Sequence, residues 1–183
     1  MRVLVTGHLG YLGVIVTRVL SADGIDVVGL DSDLYRDGTF GDPAAIPSVP
    51  ALIKDVRDVE REELEGFDGV VHLAALSNDP LGDLDPALTL AINHEASIRL
   101  ATIAKSAGVR RFVFSSSCSN YGASGGEQLL TEDADLHPIT PYGQSKVLVE
   151  RDLSTLKLTI EMRSTDPQKT RRLFERDQQR RRR

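Results

Sequence analysis

Three groups of residues in this 183-residue chain have types and spacings suited to chemistry. Tyr142 and Lys146 stand four residues apart, so on a helix they share one face. A free tyrosine, with a pKa of about 10, is a poor base at neutral pH, but a neighbouring ammonium stabilises its phenolate and lets it take a hydroxyl proton. Upstream, Ser115, Ser116 and Ser117 set three hydroxyls in a row, one of which could hydrogen-bond the reacting oxygen. The third group is the run Thr6-Gly7-His8-Leu9-Gly10-Tyr11-Leu12-Gly13. With this spacing, Gly7 permits a tight turn, Gly10 admits phosphates to backbone N–H groups, and Gly13 lets helix and sheet pack closely. Asp31 lies 18 residues beyond Gly13, where a carboxylate accepts both hydroxyls of an adenosine ribose and repels a 2′-phosphate. The pattern therefore predicts a dinucleotide site for NAD rather than NADP.

A glycine triplet carries meaning only between a strand and a helix. Here the apolar run Arg2 to Thr6 precedes it, and residues 11–22 follow with Leu12, Ile15, Val16, Val19 and Leu20 at helical spacing. Asp26 to Leu30 reads as the second strand, with Asp31 at its end. The Gly- and Pro-rich stretch 32–50 reads as a loop before a third strand near Ala51 to Lys54. A short helix around Val59 to Leu64, a strand Gly69 to Leu73, a polar turn Ser77 to Asp85 and a long helix from Pro86 to about Ala107 follow. Arg111 to Ser115 is the fifth strand, Pro141 to about Leu153 a helix, Leu156 to Met162 a sixth strand, and Asp166-Pro167 the start of a last helix through Leu173 and Phe174. Strands alternating with helices predict an α/β, Rossmann-type, doubly wound parallel sheet with helices on both faces. The serine cluster then ends a strand, where such sheets place ligands.

Charge divides the chain. Residues 1–163 carry 14 basic and 24 acidic side chains, whereas 164–183 carry 8 basic and 3 acidic, for a net charge of −5. The division expected is a nucleotide-binding domain over 1–164 and a basic polar tail over 165–183. An acidic body argues against nucleic-acid binding, and four terminal arginines without aromatics would give charge without specificity. One cysteine, Cys118, forbids an internal disulfide and suits a reducing cytoplasm; it reads as a small buried filler rather than a reactive thiol. No apolar run has membrane length, and the N-terminus lacks a signal-peptide cleavage pattern. His8, His72, His94 and His137 lack spaced partner ligands, so no metal site is expected and none of the four is assigned chemistry. Glu60 to Glu65 reads as a solvated helix face.

Taken in order, the turn TGHLGYLG (Thr6 to Gly13), Asp31, Asp55-Val56, HLAA (His72 to Ala75), Asn93, SSSCSNYG (Ser115 to Gly122) and YGQSK (Tyr142 to Lys146) resemble the extended short-chain dehydrogenase/reductase family of nucleotide-sugar epimerases and dehydratases. The resemblance covers roughly residues 1–153. It implies NAD as cofactor, with Gly7, Gly10, Tyr11, Leu12 and Gly13 around the pyrophosphate, Asp31 on the adenosine ribose, Asp55 and Val56 at the adenine, and Leu73, Ala74 and Ala75 along the middle. Asn93 would be a structural or cofactor-side contact, and Ser115, Tyr142 and Lys146 would also border the cofactor. Ser117, Tyr142 and Lys146 would be the catalytic set, and a homodimer through the helices of 86–107 and 141–153 is expected.

Two departures matter. Sugar 4,6-dehydratases of the family carry Asp-Glu directly after the catalytic hydroxyl residue, where this chain has Cys118-Ser119, so epimerisation or simple oxidation and reduction of a nucleotide sugar is favoured. Family members also continue well past the Tyr–Lys helix into a substrate-closing domain that is largely missing here, and the charge change near residue 164 favours truncation or a shifted frame. The competing expectation is a catalytically impaired NAD(H)-binding module, or a remnant acting through a partner.

Overall fold

The computed structural model describes residues 1–36, 46–77, 79–122, 130–131, 133–156 and 159–163, the last as backbone pairing only. Six strands, β1 (Arg2–Thr6), β2 (Asp26–Asp31), β3 (Ala51–Ile53), β4 (Gly69–His72), β5 (Arg111–Ser115) and β6 (Thr159–Arg163), form one all-parallel sheet in the order β3-β2-β1-β4-β5-β6. The order reverses between β1 and β4, where Thr6 pairs with His72. The glycine turn that leaves β1 and the segment that leaves β4 therefore flank the switch-point crevice, the general ligand site of doubly wound sheets.

Alternate strand residues serve the two faces. Leu4, Leu30, Val70, Phe112 and Phe114 are buried with Leu100, Ala101 and Ala104 of α4 (Ala96–Ser106) and Val149 and Leu153 of α5 (Pro141–Thr155). On the other face Val3, Val5 and Val27 pack with Val16 and Leu20 of α1 (Tyr11–Ala22). Two further helices, α2 (Asp79–Leu84) and α3 (Pro86–Leu90), precede α4, and a π-helical turn, Ala91–Glu95, joins α3 to α4.

Several local expectations need correction. The Ser77 to Asp85 turn contains α2, and the long helix is broken by the π turn, a distortion common where side chains are needed at a site. The helix expected over 59–64 is a 3₁₀ turn, Arg61–Leu64, whose acids are engaged: Glu63 bonds Lys54 at 2.8 Å and Glu65 bonds Arg61 at 2.7 Å. The sixth strand begins at Thr159 because α5 extends to Thr155 and Leu156 closes its last turn. The helix expected after Asp166 and the basic tail lie outside the described residues. None of the described helices is long and apolar enough to cross a membrane.

His72 is a core residue, 1% exposed, and its partners fix its tautomer. The Thr6 hydroxyl accepts N–H bonds from Leu73 and Ala74 at 3.2 Å, so its own proton goes to His72 Nδ1 at 2.7 Å. Nε2 then carries the ring proton and donates to Ser97 Oγ at 2.7 Å, and Ser97 donates to the Asn93 carbonyl at 2.6 Å. Burial, and secondarily the Lys146 charge, hold the His72 pKa down at about 3. The unfolded chain takes up this proton below about 6.5 while the folded chain refuses it until about 3, so stability falls as pH drops through that window, at up to about 1.4 kcal/mol per pH unit. Urea unfolding from pH 7 to 4 is expected to show this slope, and His72→Gln is expected to flatten it. An equal slope in both proteins would refute the assignment to His72.

Candidate active site

The glycine turn is built for close approach. Gly7 adopts φ +71°, and a Cβ there would meet Ala74 N at 2.8 Å, so β1's exit sits directly against the segment leaving β4. A Cβ on Gly13 would lie 2.0 Å from the Gly7 carbonyl oxygen and 2.6 Å from His8 Cα, so α1 packs on the turn's own backbone. Gly10 differs: among the described residues a Cβ there would meet only the Gly7 carbonyl oxygen, at 3.3 Å. Its missing side chain opens space in front of α1 rather than relieving a clash within the fold.

Gly10 is also the N-cap of α1, which has no side-chain cap and no acid in its first turn. By contrast, Asp85 caps α3 through Leu88 N–H at 2.9 Å and Thr140 caps α5 through Gly143 N–H at 3.1 Å. The uncapped N–H groups and positive end of α1's dipole thus face the crevice, where they suit a pyrophosphate. Tyr11, 86% exposed, and Leu12, 44% exposed, border the same opening. The residues present fit a dinucleotide.

Asp31, at the end of β2, accepts N–H bonds from Leu9 and Asp33, each at 3.0 Å. Its carboxylate is thereby fixed beside the glycine turn. Asp55 caps the 3₁₀ turn Val56–Asp58 and forks onto Arg57 at 2.8 and 3.0 Å, which holds its pKa below the usual carboxylate range. Val56 is buried in the core, so only its backbone remains for an adenine ring. Leu73, Ala74 and Ala75 are half-buried beside Gly7.

For Asn93 the two sequence expectations separate. It is 1% exposed on the π turn, its Oδ1 accepts Leu76 N–H at 2.7 Å, and its Nδ2 donates to Leu76 O at 3.0 Å and Ser145 Oγ at 3.3 Å. Ser145 in turn donates to the Tyr142 carbonyl at 2.6 Å. Asn93 therefore clamps the loop after β4 to α5, the structural part of its expected role. His94, assigned no role from sequence, bonds Asp152 at 2.7 Å and ties the π turn to α5.

Ser117, the N-cap of the 3₁₀ turn Cys118–Tyr121 after β5, accepts Ser119 N–H and donates to Ser119 Oγ, each at 3.2 Å, and its hydroxyl is near enough to the Tyr142 phenol to lower that pKa. Gly143 makes this approach possible, because a Cβ there would lie 2.8 Å from the Ser119 carbonyl oxygen. Lys146 is 3% exposed and donates to the Ser115 carbonyl at 2.9 Å, with its ammonium 4.6 Å from the Phe114 ring centre and 5.6 Å from that of Tyr142. Burial brings its pKa down to about 8, partly countered by Glu150, so it remains mainly charged at neutral pH.

The electrostatics of Tyr142 depart from expectation. Burial first, then the charges of Asp79 and Cys118, push its phenol above the ordinary tyrosine value, and only the Ser117 hydroxyl pulls it down. Lys146 does not contribute because, with a pKa of about 8, it has lost its charge before the phenol titrates. Cys118 is exposed at this edge, not buried. Sequence reasoning missed Asp79, Asn120, Gly143 and Glu150 here; only Glu150, one helical turn past Lys146, had a readable spacing. Among the described residues no cluster of potential metal ligands occurs.

Strand order, switch point and an uncapped α1 beneath a glycine turn define a Rossmann-type nucleotide-binding protein. Within that class the chain belongs to the NAD dependent epimerase/dehydratase family, whose model matches residues 3–165. UDP-glucose 4-epimerase of Lactobacillus helveticus is 35% identical over 158 residues, which cover 82% of this chain and 46% of that protein. The solved UDP-glucose 4-epimerase of Thermus thermophilus, in complex with NAD, superposes with a TM-score of 0.75 at 29% identity over 90% of this chain and 53% of that one. A dTDP-glucose 4,6-dehydratase of Streptomyces venezuelae, with NAD and TYD bound, gives 0.78 at 28% identity over 90% and 55%. The chain thus spans about half the length of the relatives it matches.

Proposed function

We propose that this chain is the cofactor-binding and reacting half of an NAD-dependent epimerase or dehydrogenase acting on a nucleotide sugar, with Ser117, Tyr142 and Lys146 as the reacting groups. The observation that carries this reading is the meeting of α5 with the carboxyl end of β5, where Lys146 donates to the Ser115 carbonyl at 2.9 Å with its ammonium 5.6 Å from the Tyr142 ring centre, beside the crevice that Gly10 leaves open. Bound NAD supplies a hydride acceptor that becomes a donor once reduced. Tyr142 takes the proton of a sugar hydroxyl through its phenolate, and Ser117 holds the same oxygen. Lys146 supplies positive charge behind the pair, and turning its ammonium from the Ser115 carbonyl would bring it toward a ribose hydroxyl. Asp31 takes the adenosine ribose, with Asp55 and the Val56 backbone at the adenine.

Cys118 and Ser119 stand where a sugar 4,6-dehydratase has its acid–base pair, which favours a ketone intermediate reduced again over elimination of water. Four-epimerisation of UDP-glucose is the first reaction to examine, because the relatives at 35% and 36% identity bear that activity in their names. A second reading, a cofactor-binding module without turnover, is favoured by the Tyr142 phenol, which burial pushes above the ordinary tyrosine value. A homodimer through α4 and α5 is proposed under either reading.

Incubation with UDP-glucose and NAD, followed by chromatography of the nucleotide sugars, separates the readings. Accumulation of the C4 epimer supports the enzyme, whereas saturable NAD binding without conversion of any nucleotide sugar supports the module. Absence of NAD binding at millimolar concentration would defeat both.

A further inference from the structure

Behind the reacting pair lies a partly buried polar cluster that the proposed chemistry does not use. Glu150 stands one turn past Lys146 on α5, and its Oε1 accepts from the Ser116 hydroxyl and from Asn120 Nδ2, the latter at 2.9 Å. Asn120 Nδ2 also donates to Ser116 Oγ at 3.1 Å. Ser116 is 8% and Asn120 2% exposed, so these bonds form largely out of water and are charge-assisted. The partners bracket Ser117: Lys146 holds residue 115 by its carbonyl, and Glu150 holds residues 116 and 120 by their side chains. Asn120 is itself anchored at its carbonyl by His137 N–H, at 2.9 Å.

We propose that Glu150 is a positioning residue whose carboxylate ties the Ser117-bearing turn to the helix that carries Tyr142 and Lys146. The reacting serine caps a 3₁₀ turn of four residues, Cys118–Tyr121, too short to hold itself in place. Without the tether, residues 116 and 120 lose their common acceptor and Ser117 drifts from the phenol. The same carboxylate faces Lys146 and Tyr121, so it also supports the lysine's charge in a buried setting.

This inference rests on the reading of Ser117 and Tyr142 as reacting partners, but its test needs neither cofactor nor turnover. Titration of the tyrosine ring carbon bearing the hydroxyl, by ¹³C labelling of the whole chain and assignment with Tyr142→Phe, reads the phenol directly. Ser117→Ala removes the group that lowers the Tyr142 pKa and is expected to raise it. If Glu150 positions Ser117, Glu150→Ala raises it by a similar amount, and the double variant adds little.

The sign is diagnostic. Removing a negative charge can only lower a phenol's pKa, so a rise reports lost positioning. Asp79 and Cys118 also face the phenol but are unchanged in this comparison, and Lys146, with a pKa of about 8, is neutral wherever Tyr142 titrates. No shift or a fall in Glu150→Ala, or full addition of the two effects, overturns the proposal. If the alanine variant does not fold, Glu150→Gln, which keeps an acceptor but loses the charge, must give a smaller rise; no change or a fall there overturns it equally. Cofactor use by the crevice stands or falls separately, by NAD binding.

Discussion

Tyr142→Phe is expected to reduce turnover of a nucleotide sugar by about 10²- to 10⁴-fold, the range for losing a positioned acid–base group, while leaving NAD binding and thermal stability near wild type. The substitution deletes one oxygen and keeps the ring. That oxygen lies near the Ser117 hydroxyl and belongs to no core cluster. The helix beneath is held by other means: the Thr140 cap, the Ser145 bond to the Tyr142 carbonyl, and burial of Val149 and Leu153. A steady-state assay beside a thermal melt and an NAD titration checks all three parts. Equal losses of turnover and stability would mean that the tyrosine is structural.

Gly13→Ala is expected to damage the chain at its base. Its Cβ would sit 2.0, 2.6 and 2.7 Å from Gly7 O, His8 Cα and His8 C, all backbone atoms that no rotamer change can move aside. Either α1 lifts from the turn or the turn opens, at about 1–3 kcal/mol or more by the cost of overpacking. NAD affinity falls with it, because the donors of α1 leave their places. Gly10→Ala separates scaffold from ligand. Among the described residues its Cβ meets one atom at 3.3 Å, so the melting temperature stays close to wild type while NAD affinity drops at least tenfold. Chemical denaturation and calorimetry of the two variants decide this; equal destabilisation would contradict the division of roles.

The sheet and the glycine turn were legible because each depends on local pattern. Unbroken apolar runs such as Val70-Val71 mark buried parallel strands, and the turn's glycines answer steric demands made within a few residues. The nearness of Tyr142 and Lys146 was legible by helical spacing and that of the Ser115–Ser117 hydroxyls by the position of β5's end, whereas the choice of Ser117 among them came from the family resemblance. What stayed hidden depends on distant partners. Nothing near Asn93 announces that its amide closes on Leu76 and Ser145, and Gly143 looks like any glycine until Ser119 approaches from 24 residues away. The direction of the Tyr142 shift was misjudged for the same reason. Helical spacing puts Lys146 on the tyrosine's face, but burial in the fold raises the phenol and lowers the lysine to about 8, so the charge is gone where the phenol titrates. Cys118 was misplaced because a small apolar residue after a buried strand was expected inside, whereas the 3₁₀ turn carries it to the surface.

The central claim is that the crevice between the glycine turn and Asp31 binds NAD. Isothermal titration of the chain with NAD⁺ and with NADP⁺ tests it most directly. Saturable binding of NAD⁺, with NADP⁺ at least tenfold weaker because its 2′-phosphate meets the Asp31 carboxylate, is the result expected. Equal affinity for the two, or heat from neither at millimolar concentration, would contradict it.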